Sequence, residues 1–246
     1  MLRQEYLRRL IDKAHVELYF SGNDGARIYW PWRMNPPRLA NSSYRNACEH
    51  YVIDSDPLND DVTTADVLDT AHRLDAEVAS LQDVYKDKDA TVDSLLDGLE
   101  VADDHAFGGT LLLPLQEPYT ECWRELGEPT DEWLGIGGLK DARPAERLDA
   151  ARSLRDVVGS GAWIHGFGWG VEGIARAIRN RPGLLDSLDS STPAQNASHD
   201  ECTAGKERKS VVAMGAAQRL VRDLREVSPY PKDEGKQKTL LEAADD

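Results

Sequence analysis

Three aspartates, a glutamine, a histidine and a pair of glycines each stand at the end of a short apolar run. They are Asp54 in VIDSD, Asp83 in SLQD, Gln116 in LPLQ, Gly137 and Gly138 in IGGL, His165 in WIHGFG and Asp189 in DSLDSS. Carboxylates and imidazoles can attack an electrophilic carbon or carry protons. Taken singly, each residue also has an ordinary explanation. An aspartate after a strand is most often a helix cap or turn residue, and glycine pairs usually serve backbone geometry. A histidine near Trp163 and Trp169 is more often a satisfied core residue than a catalyst. The densest cluster is DSLDSSTPAQNAS, Asp186 to Ser198, with two aspartates and five hydroxyl side chains around a proline. Such composition usually marks a loop. The informative feature is the order in which these residues follow one another along successive apolar runs.

The elements that must position them are legible as alternating patterns. Strand candidates are VELYF from Val16, HYVID from His50, EVASL from Glu77, TLLLPL from Thr110, WLGIGGL from Trp133, AWIHGF from Ala162 and LLDSL from Leu184. Helical patterns such as DVTTADVLDTAHRL and ARPAERLDAARSLRDVVGS separate them, the second with Gly159 and Gly161 as stop signals. Repeated β-then-α units imply a parallel sheet. Seven or eight such units in a chain of 246 residues point to a single-domain (β/α)8 barrel, which carries its chemistry at the C-terminal ends of the strands. We assign the barrel to residues 1–227, with a final helix from about Lys209 to Val227, and residues 228–246 to a loosely docked tail.

Composition narrows the setting. Hydrophobic residues make up 40% of the chain, and no apolar run approaches the ~18 residues a membrane span needs. The N-terminal MLRQEYLRRLIDKAH has an amphipathic pattern and no apolar signal-peptide core. A cytoplasmic protein with no membrane partner is the expectation, in the host cytoplasm if the gene is viral. Cys48, Cys122 and Cys202 are too widely spaced for a zinc motif. The net charge of −15 suits a halophilic source, where salt screens self-repulsion. One segment departs from this pattern. ARIYWPWRMNPPRLANSSYRNA, from Ala26, holds Arg27, Arg33, Arg38 and Arg45 among four aromatics and no acid. It is either a nucleic-acid grip of cations and stacking rings or an irregular capping segment.

The ordered blocks resemble the tRNA-guanine transglycosylase superfamily over about Tyr51 to Ser198. VIDSDPLN is similar to its DSGGFQ-type motif, LQDV to an FDEC-type stretch, Gln116 to the glutamine of QGG, and Gly137-Gly138-Leu139 to GGL. HGFG, including Gly166 and Gly168, is similar to MGVG, and LDSSTPAQNAS aligns without gaps on FDCVLPTRNAR. The resemblance implies Asp189 as nucleophile and Asp54 as general acid/base. It implies that Asp83, Gln116, Gly137, Gly138, Leu139, His165 and Gly166 contact the base. Such a reaction needs one carboxylate to attack the anomeric carbon and a second to manage protons on the leaving and entering bases.

The departures from that family are also specific. The structural zinc motif is missing, with only Cys202 in its place, so no metal and no cofactor are expected. The stacking aromatic of GGF/Y becomes Leu58, leaving Tyr44 or Trp32 to replace it, and PTRNAR loses its arginines to Gln195 and Ser198. A zinc-less barrel is most similar to the branch (DpdA) that inserts 7-deazaguanines into DNA. The resemblance therefore implies a guanine transglycosylase with DNA and a base such as preQ0 as substrates, with a homodimer left open. The alternatives are a zinc-less tRNA enzyme with an RNA-binding partner, a catalytically inactive nucleic-acid-binding barrel, and an unrelated barrel hydrolase.

Overall fold

Eight parallel strands close on themselves in sequence order in the computed structural model, which describes residues 14–22, 28–56, 59, 61–179, 181–199 and 206–224. They are β1 (Glu17–Ser21), β2 (Trp32–Asn35), β3 (His50–Ile53), β4 (Val78–Ser80), β5 (Thr110–Leu115), β6 (Trp133–Ile136), β7 (Ile164–Gly166) and β8 (Ser187–Ser190). The helices are α1 (Ser42–Arg45), α2 (Thr64–Leu74), α3 (Lys88–Asp104), α4 (Tyr119–Glu125), α5 (Pro144–Val158), α6 (Glu172–Ile178), α7 (Thr192–His199) and α8 (Lys206–Leu224). Pairing of β1 with β8, Tyr19 opposite Asp189, completes the barrel. The chain is a (β/α)8 barrel.

Local chemistry sets the element boundaries. Thr63 caps α2 by accepting from the Asp66 N–H at 3.2 Å, and the Asp66 carboxylate returns the bond to the Thr63 N–H at 2.9 Å. Pro144 opens α5, Gly159 closes it, and Leu148, Ala151 and Leu154 bury its inner face. No described helix is long and apolar enough to cross a membrane.

Strand periodicity sorts side chains between the lumen and the helical shell. Tyr19, Met34, Val52, Val78 and Leu112 form the lumen layer, and Trp133 stacks on Trp163 at 4.5 Å beneath it. The same alternation carries Ser21, Asp54 and Asp189 to the upper end, two residues beyond the lumen positions Tyr19, Val52 and Ser187. The outward set, including Leu18, Phe20, Leu113, Leu134 and Leu188, joins the helix faces in the main core.

Three expectations change here. β2 lies inside the basic, aromatic segment, whose composition shows no strand pattern. It is a strand because Trp32–Asn35 pairs on both edges, with β1 and β3. The segment around Asp189 is not a loop. β8 starts at Ser187 rather than Leu184 and runs through Asp189, and Thr192 then opens α7, with Pro193 in the first turn where its missing N–H costs nothing. The last helix spans Lys206–Leu224 and packs on α6 and α7. The expected tail, 228–246, lies outside the described residues, as do Arg27, Leu58 and Cys202.

Candidate active site

At the C-terminal end of the strands, a cavity of about 600 Å3 gathers Asp54, Asp83 and Asp189. Gly137, Gly138 and Leu139 form one wall, Phe167 and Tyr85 supply aromatic surface, and Ser191, Thr192 and Gln195 line the side where α7 begins. The three carboxylates, separated by up to 135 positions in sequence, meet because each follows or ends a neighbouring or facing strand.

The three carboxylates occupy different environments. Burial pushes Asp54 up to about 7, reinforced by the negative charges of Asp189, Asp56 and Asp83. Asp83 is pushed up to about 6, again mainly by burial, against a hydrogen bond from Gln116 that favours its anion. Asp189 is surrounded by donors. Ser21 Oγ donates to Oδ2 at 2.9 Å, and the Gly168 N–H donates to Oδ1. His165 Nε2 lies 3.6 Å from Oδ1. Gly168 adopts φ +67, a left-handed geometry that glycine takes without strain.

Asp83 is held from behind. Gln116 Nε2 donates to Asp83 Oδ2 at 2.5 Å, and Gln116 Oε1 accepts from the Lys86 N–H at 3.1 Å. Gln116 is 1% exposed, so its amide positions Asp83 instead of facing a ligand. The glycine pair explains how that amide fits. A Cβ on Gly137 would lie 2.6 Å from Gln116 Nε2, and one on Gly138 (φ +73) would collide with Oε1. His165 and Gly166 also stand outside the cavity wall. His165 is buried below Asp189, and Gly166 leaves room for the Trp169 ring. Of the residues expected to touch a base, Asp83, Gly137, Gly138 and Leu139 line the cavity, whereas Gln116, His165 and Gly166 form its support.

The arginine cluster separates into unlike parts. Arg33 is 0% exposed, with its guanidinium 5.0 Å from the Phe20 ring centroid and 4.3 Å from that of Tyr44, and it donates to the Ile28 carbonyl. It cannot reach a phosphate. Arg45 sits at the opposite, N-terminal end of the barrel, where it binds the Leu74 and Asp75 carbonyls and the Glu77 carboxylate. It caps the end of α2. Arg38 remains exposed on the loop after β2, paired with Asp56 at 2.6 Å. Tyr44 is buried and Trp32 stands at the N-terminal end of β2, so neither replaces the missing stacking ring. Phe167 and Tyr85 are the aromatics that line the cavity.

Several contributors carry no clear sequence signal. Ser21 ends a strand as serines commonly do. Ser55 lines the cavity, is 1% exposed, and its hydroxyl has no partner among the described residues. Arg147, on α5, is 6% exposed and spends its guanidinium on the carbonyls of Lys140, Ala142 and Gly168. It thereby ties the loop after β6 to the residue whose N–H holds Asp189. Its place at helical spacing with Leu148, Ala151 and Leu154 could have flagged it as an inward-facing cation. Among the described residues no cluster of histidine, cysteine and carboxylate side chains could hold a metal ion.

No protein-family model matches the chain, and no curated protein matches it.

Proposed function

We propose that the protein is a base-exchange transglycosylase that replaces guanine in DNA with a 7-deazaguanine such as preQ0. The observation that carries this reading is the division of labour among carboxylates in one cavity. Asp54 is held protonated up to about pH 7 by burial and neighbouring charge, while Asp189 takes hydrogen bonds from Ser21 and Gly168. Paired acids with opposed environments are what acid-assisted displacement at an anomeric carbon requires.

Asp189 Oδ attacks C1′ of the target nucleoside as the C1′–N9 bond breaks. The electron pair leaves with the base, which takes a proton from Asp54. The incoming deazapurine then attacks C1′ through N9, the C1′–Oδ bond breaks, and its pair returns to Asp189. Asp54 accepts the N9 proton, restoring both groups. Asp83 supplies a hydrogen-bonding group to the base, with Phe167 and Tyr85 available to its faces. A base reaches Asp189 only from single-stranded DNA or after rotation out of the duplex.

The test is incorporation of labelled preQ0 into DNA and tRNA side by side, in high salt, by wild type and Asp189→Ala. Label in DNA with wild type alone supports reaction, substrate and nucleophile together. Label in tRNA keeps the chemistry and replaces the substrate. Nucleic acid bound with no label in either refutes the enzymatic reading in favour of an inactive binding barrel.

A further inference from the structure

His165 is a titratable side chain in direct reach of the attacking carboxylate, and the exchange chemistry above leaves it unused. It is 1% exposed. Its Nδ1 lies 2.8 Å from Ser187 Oγ, which also accepts the Trp163 indole N–H at 2.8 Å. Its Nε2 has no hydrogen-bond partner and stands 3.6 Å from Asp189 Oδ1, within ion-pair reach and beyond hydrogen-bond range.

The Ser187 hydroxyl gives this histidine an unusual freedom. One of its lone pairs takes the Trp163 N–H, leaving one lone pair and one proton for Nδ1. When His165 is neutral, the hydroxyl donates to Nδ1 and the imidazole proton resides on Nε2. When His165 is cationic, Nδ1–H donates to the remaining lone pair and Nε2 keeps its proton. Both states therefore satisfy Nδ1 and present an N–H to Asp189, so the imidazole can change charge without moving. The opposite neutral tautomer would aim a bare nitrogen lone pair at the carboxylate, which is repulsive.

The groups packed around the ring leave Asp189 as its dominant charged neighbour. Phe167 meets it edge-on at 4.9 Å and Tyr19 at 6.0 Å. Burial pushes the Tyr19 hydroxyl well above its ordinary range, so that group stays neutral, and it donates to Glu17 at 3.1 Å one layer below. β6 contributes Gly135 opposite His165, with no charge. Asp54 and Asp83 line the cavity beyond Asp189, and Arg147 is held on the Gly168 carbonyl.

We propose that His165 is a positioning and charge-balancing residue for Asp189, keeping the carboxylate ionised for attack and stabilising it when it departs. The proposal rests on the reading of Asp189 as nucleophile for its catalytic consequence, but the coupling itself is independent of any substrate. Neither half-reaction transfers the His165 proton, so the balance of the exchange is unchanged. What changes is the strength of the carboxylate as a leaving group in the second half, which an adjacent cation assists.

Two measurements test it. The first follows 15N-labelled histidine signals against pH in wild type and Asp189→Asn, with no substrate present. The expected result is that the His165 signals of Asp189→Asn follow pH differently from those of wild type, because the carboxylate 3.6 Å from Nε2 is gone. An unchanged titration overturns the coupling. The second compares His165→Gln, which keeps a donor near Asp189 but does not titrate, with His165→Leu, which has none. Expected for His165→Leu is a fall in kcat on the order of 100-fold with KM for nucleic acid unchanged. His165→Gln should recover part of that loss and lack one ionisation in its pH profile. Equal activity and the wild-type profile in both variants would overturn the catalytic role. If wild type exchanges no base but Asp189→Asn still moves the His165 titration, the transglycosylase reading fails and the coupled pair stands.

Discussion

Replacing Asp54 by Asn should stabilise the protein above neutral pH while abolishing the chemistry. The carboxyl has an ordinary value of 3.8 and is pushed up to about 7 in the fold. A group whose folded-state value is raised contributes stability that is fully present below the unfolded value and is lost as pH rises through the folded one. Here the loss runs from about pH 4 to pH 7. At 1.36 kcal/mol per unit, three units correspond to ~4 kcal/mol over the whole window, of which about 2–3 kcal/mol falls between pH 5 and pH 8. The amide carries no charge and cannot titrate, so its variant should lack that part of the slope. Denaturant unfolding at pH 5 and pH 8, at fixed high salt, measures both proteins directly. Asp83 titrates near 6 in each and largely cancels in the difference, apart from its share of the mutual repulsion. Parallel stability–pH curves for wild type and Asp54→Asn would refute the assignment of Asp54 as the buried, repelled acid. The same titration should appear in catalysis, with the first half-reaction slowing as pH rises through about 7 because the departing base loses its proton donor.

Two further substitutions probe the supports of the site. Gly138→Ala places a Cβ against Gln116 Oε1 at a backbone φ of +73, so it should cost about 1–3 kcal/mol of stability. By shifting Gln116 and with it Asp83, it should also lower exchange on the order of 10- to 100-fold; wild-type activity would show that the Asp83–Gln116 bond is dispensable. Arg38→Ala should reduce the salt dependence of DNA affinity by about one phosphate equivalent, whereas Arg45→Ala leaves it unchanged. An equal loss for both would contradict the placement of Arg45 at the far end of the barrel.

The parts of this site that were legible in the sequence are those that follow from strand periodicity. A residue two positions beyond a lumen residue must face the upper cavity, so Asp54 and Asp189 are fixed once their strands are recognised. The alternation of Tyr19 and Ser21 carries the same information, yet a serine at a strand end has no chemical signature until β1 pairs with β8. That pairing joins opposite ends of the described barrel, and nothing local announces it. The strand β2 is hidden for a related reason. Trp32–Asn35 is flanked by prolines and arginines, and its pairing partners, not its own composition, make it a strand. Arg33 shows how composition misleads: a guanidinium buried between Phe20 and Tyr44 has the same letters as one exposed to a phosphate. Motif order also gives position without orientation. Gln116 stands at the expected strand end, but the close approach of Gly137 and Gly138 turns its amide onto Asp83.

The arrangement resolves a difficulty posed by three acids in one small space. Burial and mutual repulsion together oppose the ionisation of all three at once. Their donors come from different elements: Gln116 serves Asp83, and two other strand ends serve Asp189. Ser21 from β1 and Gly168 from the loop after β7 meet at Asp189, with His165 beneath, because β8 lies between those two strands in the closed barrel. Asp54, just after β3, takes neither of those two bonds and accumulates the burial and repulsion that keep its proton. Closure of the barrel thus does more than gather carboxylates. It assigns the donors unequally, so the carboxyls of one cavity sit in unlike environments. An open sheet with the same strand ends would lose the Ser21 contact, and with it part of the asymmetry on which the proposed exchange chemistry rests.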